Sequence, residues 1–180
     1  MTETGAPRET PAREMPARAV VEFTCTGTAV GKMRNELDVR MVRPMRERFE
    51  MATDEGAFHG GDASAPPPLA MFIGALTGCI MTQIRAFARR LEVPLNGLRV
   101  DARVTWDWEA RGRIYETAPR SFEMDVFIDS DAPPDKQEDL VQKARRGCFI
   151  EQTLGQRNVI RHRIRTAQGW REIDERRDGA

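Results

Sequence analysis

The chain has 180 residues, with 28 Lys and Arg balancing 28 Asp and Glu, so its formal net charge is zero. That balance supplies no global field to hold a polyanion, and a nucleic-acid partner is set aside. A charged fraction of 31% and a mean hydropathy of −0.55 fit one soluble globular domain with tails, and residues 1–18 show no apolar core of a secretory signal.

Residues 1–17, rich in Pro, Thr, Glu and Arg and without periodicity, read as a disordered tail ahead of a domain over 18–168. From Val20 to Thr28 β-branched residues alternate with others; a turn at Gly31 and Lys32 follows, and Glu36 to Met41 alternates again, which predicts a hairpin. Arg46 to Ala52 suggests a third strand. The Gly, Ala and Pro content of Asp54 to Pro68 predicts a loop.

The longest apolar run, Leu69 to Ile84, has only about 14 residues free of strongly polar groups, short of the roughly 18 to 20 that a membrane span requires. No membrane partner is expected from it. Pro66, Pro67 and Pro68 lead into it, Asp62 and Ser64 stand as caps, and Pro94 ends it, which predicts a buried helix over 69–92. Its apolar residues narrow after Gln83 to the stripe Ile84, Phe87, Ala88 and Leu91, while Arg85, Arg89 and Arg90 form a solvated end suited to the helix dipole.

Period-two alternation recurs at Gly97 to Trp108 and at Ser121 to Asp129, predicting two amphipathic strands joined by a charged loop at 109–120. Pro133 and Pro134 open a second helix to about Arg146, with Gly147 as its stop. Val159 to Ile164 reads as a last strand, and 169–180 as a charged C-terminal tail. This order predicts an α+β fold with antiparallel sheets and not a doubly wound one.

Three cysteines, Cys25, Cys79 and Cys148, are too few and too scattered for a disulfide framework, so a reducing, cytoplasmic setting is expected. With two histidines and no C-x-x-C or H-x-x-x-H spacing, no metal site is expected. Taken singly, Cys79 and Cys148 read as small core residues and Cys25 as core or interface filler, because free Cys is often buried. Cys79 lies about three turns into its helix, too far for the N-terminal dipole to activate it, so a thiolate there needs a guanidinium or ammonium from another element. Cys148 follows a helix end, where the dipole favours the neutral thiol unless a new helix begins at that residue. Trp106 reads as core, Trp108 shares its parity at a strand end, and His59 reads as an exposed loop residue.

Two segments together resemble the OsmC/Ohr family. The first, GGDASAPPPLAMFIGALTGCIMTQIRAFARRLEVPLNGLRV, joins a glycine-containing loop, a proline-led helix with Cys79 in its middle, a basic helix end and an amphipathic strand. The second, ARRGCFIEQTL, sets Cys148 after a helix and ahead of Thr153 and Leu154. The resemblance implies an intertwined homodimer with the Cys-bearing helices packed centrally and sheets wrapped outside. It implies a thiol-dependent peroxidase, an oxidoreductase of the stress response without cofactor, in which Cys79 attacks an organic hydroperoxide and Cys148 resolves the sulfenic acid. A dithiol reductant completes the cycle.

Family peroxidases carry a Glu in the first turn of the central helix that orients an activating Arg; here Leu69 and Ala70 occupy that turn. Arg34, Arg40 and Arg43 stand as substitutes for the Arg. Glu55 and Glu151 stand as replacement carboxylates, although both read as solvated charges, and Phe149 stands where many relatives have Pro. The alternative is a non-peroxidatic member whose dimer pocket binds an apolar small molecule or handles sulfur.

Overall fold

A computed structural model describes residues 17–173. The expected N-terminal tail therefore lies outside the described residues except for Ala17. The chain divides into two compact units, Met1–Pro68 and Leu69–Ala180, each taken by itself below.

The first unit is an antiparallel meander of β1 (Glu22–Val30), β2 (Arg34–Arg43) and β3 (Glu47–Thr53). Its first turn is made by Gly31 at φ 66°, a left-handed backbone that glycine adopts without a Cβ penalty. β2 runs beyond the expected Glu36–Met41 because its ends are fixed by pairing, from Arg34 opposite Val30 to Arg43 opposite Glu22. Charged neighbours on the strands support that register: Asp38 accepts from Arg40 and from Arg48, and the two guanidiniums hold its carboxyl down to about 2.

The loop after β3 is ordered by one buried acid. Asp54 is 2% exposed, and its carboxylate accepts from the Glu55 N–H at 2.8 Å and from both the N–H and hydroxyl of Ser64. The chain folds so tightly here that a Cβ on Gly61 would sit 1.9 Å from the Glu55 carbonyl oxygen. Asp62 and Ser64, expected as helix caps, serve this loop instead: Asp62 pairs with Lys32 at 2.6 Å, and Ser64 bridges Asp54 and Arg34.

The second unit begins with α1 (Pro68–Arg90) and continues through the hairpin of β4 (Gly97–Arg111) and β5 (Ile114–Asp129). α2 (Pro134–Gly147), a short α3 (Phe149–Leu154) and a hairpin of β6 (His162–Thr166) and β7 (Gly169–Ile173) complete it. The fold is α+β with antiparallel sheets and a central helix. Leu76, Ile80, Ile84 and Ala88 recur every fourth residue and make the buried stripe of α1. Ile80, Ile84 and Ala88 meet Val100 of β4 and Leu140 and Ala144 of α2 in one cluster, with Leu98, Met124, Val126 and Ile128 packed against it. Opposite pairing puts Leu98 beside Ile128 and Val100 beside Val126, so one face of the hairpin carries the two helices.

Several boundaries differ from expectation for physical reasons. The charged segment 109–120 is not a loop: β4 and β5 pair through Arg111 and Ile114 around Gly112 at φ 64°, with Arg111 bridging Glu109 and Glu116 and Trp108 resting on Tyr115. Cross-strand ion pairs extend a hairpin where hydrophobic alternation has ended. The last strand starts at His162, not Val159, and Gly169–Ile173 forms β7 in place of the start of a charged tail; residues 174–180 lie outside the described residues. Trp170 of β7 is exposed beneath Arg163 and Arg165.

The burial expected of α1 holds along one stripe only. By length and composition this helix would suffice to cross a membrane, and only 17% of its most apolar window is buried.

Candidate functional site: the Cys79 and Cys148 pair

Two features bring the cysteines of the second unit together. Cys79 is half-buried on α1 and packs against the core cluster, one residue before the buried Ile80. Cys148 is fully buried at the junction of α2 and α3, where its extended backbone (φ −78°, ψ 110°) breaks one helix and begins the next. Its N–H still bonds to the Arg145 carbonyl at 3.3 Å, while its own carbonyl accepts the Gln152 N–H at 2.9 Å as the first turn of α3. Cys79 packs against the buried cluster that contains Cys148, and its thiol is near enough to raise the Cys148 pKa.

That setting decides the state of Cys148. Burial pushes its thiol from an ordinary 9.0 up to about 11, and the neighbouring Cys79 thiol pushes the same way. The amides of Glu151 and Ile150 act against this, as the start of a helix should, although Cys148 makes no capping hydrogen bond. Desolvation wins. At neutral pH Cys148 is held as the neutral thiol.

Sequence reasoning missed α3. The signal was present: Cys148 followed three residues on by Glu151 has the N-cap to N3 spacing of a capping box. Glu151 is also not a solvated charge. Its side chain is 20% exposed, Oε1 accepts from Arg145 Nε at 2.8 Å, and Oε2 is buried without a hydrogen-bond partner among the described residues.

Other expected site residues fall as follows. Leu69 is exposed in the first turn of α1 beside Ala70, and no acidic residue occupies that turn. In the first unit, Arg40 is tied to Asp38 and Arg43 to Glu22. Arg34 donates through Nε to Glu36 at 2.7 Å and through Nη1 to the hydroxyl and carbonyl of Ser64 at 3.0 and 3.1 Å. Glu55 lies 3.4 Å from His59 Nδ1, and Cys25 is exposed on β1 opposite Val39. Among the described residues no group of three or more His, Cys, Asp or Glu side chains is placed to hold a metal.

The family profile described as OsmC-like protein matches residues 60–163, more than half the chain and inclusive of both cysteines. The chain belongs to the OsmC-like protein family. It is 57% identical to an OsmC-like hydroperoxide resistance protein from Jannaschia sp. CCS1, over 85% of this chain and 98% of that one, with a TM-score of 0.59. The OsmC-like protein of Mycoplasma pneumoniae shares the fold at 14% identity and a TM-score of 0.57, covering 74% of this chain and 87% of that one. A putative osmotic stress induced and detoxification response protein from Psychrobacter arcticus 273-4 does so at 19% identity and a TM-score of 0.50, over 72% and 86%. No curated protein matches this OsmC-like chain.

Proposed function

We propose that the protein is a thiol-dependent reductase of organic hydroperoxides that works through Cys79 and Cys148. One observation carries the reading: two free thiols from distant parts of the sequence meet in one packed cluster, and the more buried one is held in its neutral form. The 57% identity to a hydroperoxide resistance protein supports it.

The chemistry balances on cysteine alone. The Cys79 thiolate attacks the outer oxygen of ROOH; the O–O bond breaks, a proton is taken up, and ROH leaves, with Cys79 oxidised to the sulfenic acid. Cys148 then attacks that sulfur, forming the disulfide as water leaves. An external dithiol supplies two electrons and two protons to restore both thiols. A guanidinium is needed beside the attacking thiolate, because the first turn of α1 carries no carboxylate and Cys79 lies too far along the helix for its N-terminal dipole to act.

The working form is a homodimer in the cytoplasm. α1 leaves most of its apolar surface open, and Phe23, Phe49, Phe122 and Phe127 are among many large apolar side chains exposed on the single chain. A second copy covers surfaces of this size.

A second reading, a family member that binds an apolar small molecule or handles sulfur without peroxidase activity, is favoured by the absent carboxylate in the first turn of α1. One single-turnover experiment separates the two. Cumene hydroperoxide added at one equivalent to reduced protein should release one alcohol and remove two thiols per chain. No alcohol, with both thiols intact, establishes the second reading.

A further inference from the structure

The last residue of α2 is Gly147, and its backbone gives no reason for glycine there, since its φ is not in the left-handed region. Within a helix Ala is ordinarily preferred to Gly. What glycine provides is a close approach. A Cβ at Gly147 would lie 2.7 Å from Phe87 Cζ, 3.0 Å from Phe87 Cε2 and 3.5 Å from Gln83 Oε1. Gln83 and Phe87 follow Cys79 at four-residue steps and so share its face of α1, while Cys148 is the next residue after Gly147. The α2 end thus touches α1 through the residue adjoining one thiol and the face bearing the other.

We infer that Gly147 is a positioning residue for disulfide formation: its bare backbone lets the end of α2 seat against Phe87, which brings the Cys148 sulfur within reach of Cys79. This rests on the redox reading proposed above. The step it serves joins Cys148 Sγ to Cys79 Sγ while the Cys79 S–O bond breaks and water leaves. Bridging demands Cα atoms within about 7 Å and aligned Cβ vectors, so a displacement of a few tenths of an ångström to an ångström is felt in the rate. Phe87 has little freedom to absorb the clash inward, because it is partly buried against the Ile84, Ala88 and Ala144 cluster. The ring edge and the helix end therefore move apart.

The test is Gly147→Ala in the full-length protein, followed in two halves. After one equivalent of cumene hydroperoxide, alcohol release should stay within twofold of wild type, whereas disulfide formation should slow at least tenfold and dimedone should trap a sulfenic acid at Cys79. The melting temperature should fall by no more than a few degrees, since the helix preference of Ala offsets part of the overpacking against Phe87. Adding Phe87→Leu, which removes the two ring atoms concerned, should bring disulfide formation back to within threefold of Phe87→Leu alone. Disulfide formation at the wild-type rate in Gly147→Ala, equal slowing of both halves, or no rescue by Phe87→Leu overturns the inference. Diamide, which takes two electrons and two protons from neighbouring thiols without any peroxide step, separates it from the peroxidase reading. Slower Cys79 to Cys148 bridging by diamide in Gly147→Ala supports the positioning role even where the wild type consumes no peroxide, and an unchanged diamide rate overturns it.

Discussion

The Asp54 carboxylate holds both polar groups of Ser64, its Oδ2 accepting from the backbone N–H at 2.9 Å and from the hydroxyl at 2.7 Å. Those bonds lower the Asp54 pKa below its ordinary 3.8, the Ser64 N–H contributing most. A group with a depressed folded pKa stabilises the fold fully above the unfolded value and loses that contribution as pH falls through the folded one. The first unit should therefore weaken below pH 3.8, and Asp54→Ala should reduce this acid sensitivity, leaving the share that belongs to Asp38, while lowering the melting temperature at pH 7 by roughly 5 °C. Circular dichroism melts between pH 2 and 7 on both proteins check it.

Raised burial of Cys148 gives the opposite sign at the other end of the scale. Its stabilising effect is complete below the unfolded value of 9.0 and is lost as pH rises through about 11. Iodoacetamide should label Cys25, which is exposed, many times faster than Cys148 at pH 8, with Cys148 labelling rising steeply only above pH 9. Peptide mapping of alkylated protein against pH measures this directly.

The two thiols should differ in what their loss does. Cys79→Ser should abolish alcohol release from an alkyl hydroperoxide, because a serine hydroxyl is not appreciably ionised at neutral pH. Cys148→Ser should release one alcohol per chain and then stall as the sulfenic acid. Mass spectrometry of the stalled protein should find a gain of one oxygen at Cys79.

Much of the architecture was legible because it is written in periodicity. The stripe of α1 and the opposed runs around Val100 and Val126 follow from spacings of four and two, which survive any tertiary context that buries one face. The extension of β4 and β5 through 109–120 was not legible, since it depends on ion pairs between Arg111, Glu109 and Glu116 that look the same in sequence as a solvated loop. At the site, both cysteines were visible through their motifs. The buried position of Glu151 was hidden because nothing local marks a carboxylate that a neighbouring arginine, Arg145, will draw inward. The contact of Gly147 with Phe87 was hidden for a similar reason, as Gly147 reads equally well as a helix stop.

The outer part of the β4 and β5 hairpin has a thermodynamic consequence of its own. From Asp107 to Arg120 every residue is exposed on both faces of a two-stranded ribbon, reaching about 20 Å beyond the Phe72, Trp106 and Phe122 cluster. Such a ribbon is marginal in water by itself, and the homodimer proposed above would supply the free energy that keeps it ordered. In that case unfolding is coupled to dissociation, and the melting temperature should climb with total protein concentration instead of being a fixed property of the chain. Dilution then acts on this protein as a mild denaturant, and the ribbon is the first part to feel it.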